Sequence, residues 1–483
     1  MALWLCTANR IPLFVVLLLV CLYGTHLSCG YFTSYVADEN NKNCFCELEG
    51  SINDCGCEVD TVDHFNNIKI YPRLKSLLVK NYFRFFRVNL NRDCPFWPDD
   101  SKCAMRFCQV ENCEEQTIPP GLMEHGDNHP FMKPTAYKYS EAAQNADCSD
   151  ADDFSSVLGI IDTSISDQAH KEFELWAKHD QAEEDFCIID ENDEGSQYVD
   201  LLLNPERYTG YKGESAHRVW NSIYKENCFG VQNRSNTFSD YLAQIDLHKM
   251  CLEQRAFYRI ISGLHTSINI HLCSKYLLSE TKDFLSPQGV WGHNIQEFKR
   301  RFSPETTNGE GPHWLRNLYF IYLVELRALE KAAPYLRREN FYTGIVEEDQ
   351  ETKMAINDLL SVIESFPNHF DENALFSHSP QGIRFKYEFK EKFRNISRIM
   401  DCVGCDKCKL WGKLQTQGLG TALKILYSEK LNIATESGLW EKPHIEIDPI
   451  FRLKRSEIVA LFNAFGRLSN SIYEMENFRK SLR

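Results

Sequence analysis

The feature that most constrains this chain is the placement of its 19 cysteines, because they are clustered and not evenly spread. Cys402, Cys405 and Cys408 follow one another at three-residue spacing, and Cys103 and Cys108 belong to a second cluster. A chain of 483 residues can bury a large apolar core, so it depends less on disulfides than a small domain does. Clusters with CxxC spacing therefore indicate thiol chemistry as well as covalent cross-links.

The cysteines at 402, 405 and 408 form the sharpest motif. Two cysteines separated by two residues can close a small, reducible ring, and a helix beginning there would lower the pKa of the first thiol through its N-terminal dipole. Two other interpretations stay open on spacing alone. The pair can be an inert structural disulfide, or half of a zinc site, although no second CxxC or CxxH pair lies at zinc-finger spacing. We predict no bound metal.

The second motif joins Cys103 and Cys108 across four residues, and Cys113 follows five residues later. This spacing allows a disulfide on a flexible segment and offers Cys108 a competing partner. Thiol–disulfide exchange needs access and a choice of sulfur atoms, which crowded cysteines on a mobile loop provide. A disulfide that only staples the loop explains the same spacing.

The N-terminus predicts entry into the secretory pathway. Arg10 precedes an apolar run over residues 11–23, and Ser28-Cys29-Gly30 is a small-x-small cleavage pattern. Residues 1–30 are therefore predicted to be a signal peptide. A membrane anchor is the alternative, and it is less favoured because the run is shorter than the roughly 20 residues that a span needs.

Charge and hydropathy narrow the range of partners. The formal net charge of −15 argues against nucleic-acid binding, since phosphate recognition needs basic surface. No later segment is long and apolar enough to cross a membrane, so we expect no transmembrane span and at most a peripheral contact with membranes. N-glycosylation sequons at Asn233 and Asn395 agree with passage through the secretory pathway.

Apolar periodicity divides the mature chain into two sections. Residues 31–155 are polar and rich in cysteine and turn signals, so we expect loops there, including the mobile loop with Cys103 and Cys108. Residues 156–483 carry apolar side chains at three- and four-residue spacing, which predicts helices. The clearest predicted helices cover 172–178, 256–278, 315–333, 352–366, 420–431 and 456–477. The helix over 315–333 is predicted to be buried and central and to end before Pro334. Strand patterns are scarce and no long linker appears, so both sections are predicted to form one structural domain.

Five blocks of the sequence are long enough to suggest a family. They are CPFW at 94–97, NPERYTGY at 204–211, ISGLH at 261–265, RNISRIMDCVGC at 394–405 and LWGKLQTQG at 410–418. These blocks resemble the endoplasmic reticulum oxidoreductins. The resemblance extends from about Cys44 to Leu482, which is effectively the whole mature chain.

The resemblance implies a mainly α fold, with a single helical domain, a four-helix core that binds flavin, and a loop-rich, cysteine-rich N-terminal section. It implies an FAD-dependent thiol oxidase of the endoplasmic reticulum lumen. Such an enzyme oxidises protein disulfide isomerase and related thioredoxin-fold oxidoreductases, passes the electrons to molecular oxygen, releases hydrogen peroxide, and so generates disulfides for oxidative protein folding. The C-terminus, KSLR, is not a KDEL-type signal, so a partner would have to retain the protein.

The same resemblance assigns roles to single residues. Cys103 and Cys108 match the shuttle pair that faces the client; Cys405 and Cys408 match the inner pair, in which Cys405 exchanges with the shuttle and Cys408 lies against the flavin. The positions matching FAD-binding residues are Arg207, Thr209, Trp220, Ser262, His265 and Arg301. One departure is His313, where some relatives carry another FAD-side arginine, although Arg316 is near in sequence.

Disulfides are also implied by the resemblance. Pairing of Cys103 with Cys148 and of Cys108 with Cys113 would take the shuttle out of service. The pairs implied to be structural are Cys44–Cys57, Cys46–Cys55, Cys94–Cys402 and Cys228–Cys251, whereas Cys187 and Cys273 have no obvious partner. A noncatalytic luminal binding protein stapled by its cysteines is the competing class of function, and it predicts a colourless protein.

Overall fold

Helices make up most of the computed structural model, which describes residues 59–97, 108–125, 185–190, 193, 195–206, 214–228, 251–279, 290–366, 372, 380–428 and 453–482. The helices in chain order are α1 (Val59–His64), α2 (Tyr71–Leu77), α3 (Asn81–Arg84), α4 (Pro120–His125), α5 (Glu214–Asn227), α6 (Leu252–Ser274), α7 (Ile295–Phe302), α8 (Glu310–Leu336), α9 (Val346–Ile363), α10 (Pro380–Ile399), α11 (Asp406–Leu426) and α12 (Arg455–Leu482). A π-helical turn, Phe65–Ile70, joins α1 to α2, and 3-10 turns cover Glu115–Thr117 and Met400–Cys402.

The strands form two small antiparallel pairs within the described residues. Strand β1 (Phe85–Val88) pairs with β2 (Gln197–Asp200), and β3 (Tyr276–Ser279) pairs with β4 (Val290–Gly292). An isolated bridge between Asn112 and Val199 attaches the segment that follows Cys108 to the β1–β2 pair. The mainly helical, single-domain architecture predicted from the sequence is confirmed.

The core is built from α6, α8, α11 and α12, which pack against one another. Helix α8 is buried on all sides from Asn317 to Leu326, as predicted for a stretch that is apolar all round. Two glycines allow close helix contacts: a Cβ at Gly263 would lie 2.3 Å from the carbonyl oxygen of Asn317, and one at Gly418 would lie 2.3 Å from that of Ala460. Backbones therefore approach more closely here than larger residues permit.

Several helix boundaries differ from the sequence prediction. The helix expected over 256–278 ends at Ser274 and is followed by β3, and the one expected over 352–366 runs from Val346 to Ile363. The helix expected over 420–431 is the second half of α11, which begins at Asp406 and ends at Leu426. Helix α8 continues through Pro334 to Leu336. Proline lacks one backbone donor, and so near the end of a helix it costs a single hydrogen bond. The helix predicted at 172–178 lies outside the described residues.

No helix among the described residues is both long enough and apolar enough to cross a membrane.

Candidate active site

The CxxC motif lies at the N-terminus of α11. Cys405 is the N-cap residue, and its Sγ accepts a hydrogen bond from the backbone N–H of Cys408 (3.4 Å). Both cysteines are buried and both are in the thiol form. The first turn of a helix concentrates unsatisfied N–H groups and a positive dipole end, so this end of α11 favours negative charge.

The outer cysteine segment touches the same turn. The backbone N–H of Lys407, between the two motif cysteines, donates to the carbonyl oxygen of Cys108 (2.9 Å). Cys108 is buried and disulfide-bonded, with its partner outside the described residues, whereas Cys113 is in the thiol form. The predicted Cys108–Cys113 pairing is therefore not formed here: the Cys113 backbone is instead held to β2 by its hydrogen bond to Tyr198 (3.2 Å).

Asn204 clamps the outer segment to the helix that carries the motif. Its side chain accepts from the backbone N–H of Glu111 and donates to the carbonyl oxygen of Glu111, each at 2.7 Å. The indole N–H of Trp411, one turn after Cys408, donates to the Asn204 carbonyl oxygen (2.8 Å). The clamp therefore connects the outer segment with α11.

A disulfide and a network of charges hold the turn in front of the motif. The Cys94–Cys402 disulfide is present, with a Cα–Cα distance of 4.5 Å and a sequence separation of 308 residues. Next to it, the Asp401 carboxylate pairs with Arg398 and with Lys413 Nζ (2.6 Å), and Lys413 also pairs with Asp190 (2.8 Å). These contacts fix where α11 begins.

The predicted disulfide between Cys228 and Cys251 is not formed, since both residues are in the thiol form. Cys228 is buried at the end of α5, and burial raises the pKa of its thiol; Cys251 is the N-cap of α6, and its backbone N–H donates to Gln254 (3.2 Å). Burial also raises the pKa of Cys187, whose Sγ donates to the Thr416 carbonyl oxygen (3.0 Å). A raised thiol pKa opposes thiolate formation and hence exchange.

A cavity opens beside Cys408. It is a narrow cleft, and its walls come from α5, α6, α11, α12 and the turn before α11. The lining is mostly apolar and includes Trp220, Leu264, Ile268, Met400 and Val403. Small-molecule and cofactor sites are concave, largely apolar and have a few polar groups.

Two features of this region, a buried amide and an aromatic stack, fit a flat heterocycle. Gln415 lines the cavity and is 1% exposed, yet its Nε2 has no hydrogen-bond partner among the described residues. A buried amide without a partner is costly, so the site favours a ligand acceptor there. Trp220 stacks on His265 with ring centroids 4.1 Å apart and an interplanar angle of 9°, which provides an aromatic surface at the cavity.

The other predicted binding residues follow one face of α6. Ser262 and His265 lie one turn apart, and Asn269 lies one turn further. Arg301 on α7 reaches this row, because its Nη1 donates to Asn269 Oδ1 (2.7 Å) and its Nε donates to Glu297 (2.8 Å). An elongated ligand with its flat end at Cys408 could therefore extend along α6 towards Arg301.

Arg259, which sequence analysis did not assign, lies on the same side, with Arg316 near it. Arg259, one turn before Ser262, is buried, and its Nε donates to Asn317 Oδ1 (2.9 Å); Asn317 in turn donates to the Ser262 hydroxyl (2.9 Å). Burial, together with the charge of Arg316, lowers the pKa of Arg259 to about 9. The two positively charged guanidiniums repel each other, so an anionic group such as a diphosphate would be favoured between them.

Several predicted residues lie outside the described residues: Arg207, Thr209, Asn233, Cys103, Cys148, Cys44, Cys46, Cys55 and Cys57. Asn395 lies in α10 and is partly buried, and the Ser397 hydroxyl of its sequon accepts from the Ile188 N–H (3.3 Å). Among the described residues, no group of three or more His, Cys, Asp or Glu side chains is arranged to hold a metal ion. Sequence analysis missed Asn204, Gln415 and Arg259 because isolated polar residues carry no spacing signal.

Comparison with known proteins gives consistent matches over nearly the whole chain. Residues 69–475 match the family model of endoplasmic reticulum oxidoreductin 1 (ERO1). The Ero1-like protein of Drosophila melanogaster is 75% identical over 471 residues, covering 97% of each chain. The human ERO1-like protein alpha is 48% identical over 479 residues, covering 94% of this chain and 96% of the human one.

The fold also resembles solved structures. Yeast Ero1p, described as a source of disulfide bonds for oxidative protein folding in the cell, is 27% identical with a TM-score of 0.55, over 88% of this chain and 97% of the yeast chain. A mutant of the S. cerevisiae protein in which two cysteines are replaced by alanine gives the same TM-score and coverage at 28% identity.

Proposed function

The chain belongs to the endoplasmic reticulum oxidoreductin 1 family and is an oxidoreductase of oxidative protein folding, and we propose that it is an FAD-dependent thiol oxidase of the endoplasmic reticulum lumen. In this proposal it oxidises protein disulfide isomerase and related thioredoxin-fold oxidoreductases, with oxygen as acceptor and hydrogen peroxide as product. The observation that carries the proposal is the hydrogen bond from Lys407 to Cys108, which holds an outer cysteine against the turn that bears Cys405 and Cys408.

The proposed path contains two thiol–disulfide exchanges. A client thiolate attacks the Cys103–Cys108 disulfide and forms a mixed disulfide, which the second client thiol resolves, so two electrons and two protons remain on the outer pair. The outer dithiol then reduces a Cys405–Cys408 disulfide in the same way, with Cys405 as the attacked sulfur. The backbone contact between Cys108 and Lys407 supports this order, since it keeps the two pairs adjacent.

FAD is the proposed cofactor because the family resemblance implies it and because the cleft beside Cys408 combines a mostly apolar lining with the buried amide of Gln415. Trp220, His265 and Gln415 would hold the rings, and Ser262 and Arg301 would bind the remainder along α6. Arg207 and Thr209 are proposed from the family pattern, and Arg316 with Arg259 would provide charge for the diphosphate. Bound FAD would accept two electrons from the inner dithiol and pass them to oxygen.

Regulation and processing complete the proposal. A Cys103–Cys148 disulfide would remove Cys103 from the shuttle pair and so stop transfer. Residues 1–30 would be removed as a signal peptide, residues 31–155 would form the cysteine-rich section, and residues 156–483 would form the catalytic core. Glycans at Asn233 and Asn395 remain predictions; at Asn395, the helical and partly buried position would require attachment before the chain folds.

Replacement of the inner cysteines tests the function. Oxygen uptake driven by reduced protein disulfide isomerase should be lost in Cys405→Ala and in Cys408→Ala, whereas the flavin absorption of the purified proteins should remain. Cys273→Ala is a matched control, since Cys273 is a buried thiol of α6 that does not line the cavity. Undiminished oxygen uptake in either inner variant would exclude the mechanism. A wild-type protein that is folded but colourless would favour a noncatalytic binding protein that is cross-linked by disulfides.

A further inference from the structure

A buried arginine lines the same cavity as Cys408. Arg467 lies in α12, is 5% exposed, and shares the cavity wall with Cys408 and Gln415. Its backbone is well fixed, because the Arg467 carbonyl oxygen accepts hydrogen bonds from Ser471 Oγ (3.0 Å) and His271 Nε2 (3.1 Å). A guanidinium stays protonated in proteins, so the wall of the cavity contains a permanent positive charge.

Arg467 forms an ion pair with a buried glutamate. Its Nη2 donates to Glu206 Oε1, and both side chains are almost fully buried. A second carboxyl group, Glu325 of α8, interacts electrostatically with Arg467, but burial raises the pKa of Glu325 well above its ordinary value. Glu325 therefore favours its neutral form, whereas Glu206 forms an ion pair with the guanidinium.

The proposed reaction brings negative charge to this cavity. Oxidation of the Cys405–Cys408 dithiol forms one S–S bond and breaks two S–H bonds, so two electrons and two protons leave the sulfur atoms. Bound flavin would take both electrons and one proton, and the other proton would pass to water, so the flavin would gain one negative charge. A Cys408 thiolate formed before this step places the same charge at the same wall.

Resting on the function proposed above, we propose that Arg467 is a further catalytic residue, which stabilises the negative charge that reaches the cavity when Cys405 and Cys408 are oxidised. A charge in a buried site acts more strongly than one at the surface, because water screens it less. Protein charges next to a flavin tune its electronic properties. Arg467 should therefore favour the reduced, more negative state of the bound flavin over the oxidised state, and Glu206 should weaken that preference.

The test is the midpoint potential of the bound flavin, measured in the holoenzyme at fixed pH against a redox dye under air-free conditions. Two variants remove the charges in turn: Glu206→Gln, which keeps an acceptor for Arg467, and the double variant Glu206→Gln/Arg467→Met. Removal of Arg467 alone is avoided because a buried, unpaired carboxylate is strongly destabilising. The control is Arg455→Met, because Arg455 is buried in the same helix, holds the carbonyl oxygens of Tyr82 and Phe85, and does not line the cavity.

We expect opposite shifts. Glu206→Gln should favour the reduced flavin and raise the potential. Relative to it, the double variant should weaken the preference for the reduced flavin at least tenfold, a fall of about 30 mV for a two-electron couple. Arg455→Met should keep the wild-type potential. An unchanged potential in Glu206→Gln, or equal potentials in both Glu206 variants, would overturn the role of Arg467, whereas a wild-type protein that folds without flavin would overturn the proposed function itself.

Discussion

The Asn204 clamp allows the contact between the two cysteine pairs to be weakened without altering any cysteine. The Asn204 side chain is fully buried and makes two hydrogen bonds of 2.7 Å to the backbone of Glu111, three residues after Cys108. Asn204→Ala removes both bonds, together with the bond from Asn204 Nδ2 to the Asp200 carbonyl oxygen (3.1 Å), and leaves the Asn204 carbonyl oxygen, and its bond from Trp411, in place. The substitution should therefore release the outer segment from α11 while the motif stays intact.

The size of the effect follows from those two bonds. A hydrogen bond contributes a net stability of about 1 kcal/mol, so the docked state of the outer segment should lose about 2 kcal/mol. This loss is a factor of about 30 in the docking equilibrium. Transfer from the outer to the inner pair requires the docked state, and so it should slow by up to that factor.

Two reductants distinguish docking from general damage. Oxygen uptake should fall in Asn204→Ala when reduced protein disulfide isomerase is the substrate, because these electrons must cross from the outer pair. Uptake should stay near the wild-type rate with a small dithiol that reduces the inner pair directly. Asn463→Ala is the matched control: Asn463 is also buried and donates two hydrogen bonds to backbone oxygens, of Phe83 (3.1 Å) and Val459 (2.9 Å). Two outcomes for Asn204→Ala would refute the reasoning: wild-type rates with both reductants, or the same fall in rate with both.

Three further predictions concern packing, pH and regulation. Gly418→Ala should lower the free energy of unfolding in denaturant by about 1–3 kcal/mol, since its Cβ would lie 2.3 Å from the Ala460 oxygen and force α11 from α12. Hydrogen bonds from Arg300 and nearby charges lower the pKa of Glu297 from 4.5 to about 2, so the ionised carboxylate stabilises the fold fully above about pH 4.5 and loses this effect as the pH falls through about 2. Glu297→Gln should therefore make the free energy of unfolding depend less on pH between about pH 4.5 and pH 2, as measured by circular dichroism. Cys148→Ala should raise oxygen uptake with reduced isomerase, and unchanged turnover would exclude a Cys103–Cys148 lock.

The sequence by itself determined the class of fold and singled out the CxxC motif as the candidate redox site. Three- and four-residue apolar spacing predicted the helices that became α6, α8 and α12, because that spacing gives a helix a buried face whatever covers it. The same periodicity placed Ser262 and His265 on one face of α6. Cys405 and Cys408 were recognised from local spacing, and the extended motif around them suggested the family that the comparisons show.

Only the tertiary structure decided which side chains share a site. Asn204, Gln415 and Arg467 come from distant parts of the chain, and their roles arise from contacts with Glu111, the cavity wall and Glu206. Periodicity shows that one face of a helix is buried, but it does not show which helix covers that face. For this reason the sequence does not reveal which distant group a single polar residue contacts. The start of α11 at Asp406 was left out of the helix predicted over 420–431 because its first residues are mostly polar. The Cys94–Cys402 disulfide and the Asp401–Lys413 pair, both made only when the chain folds, hold the turn in front of it.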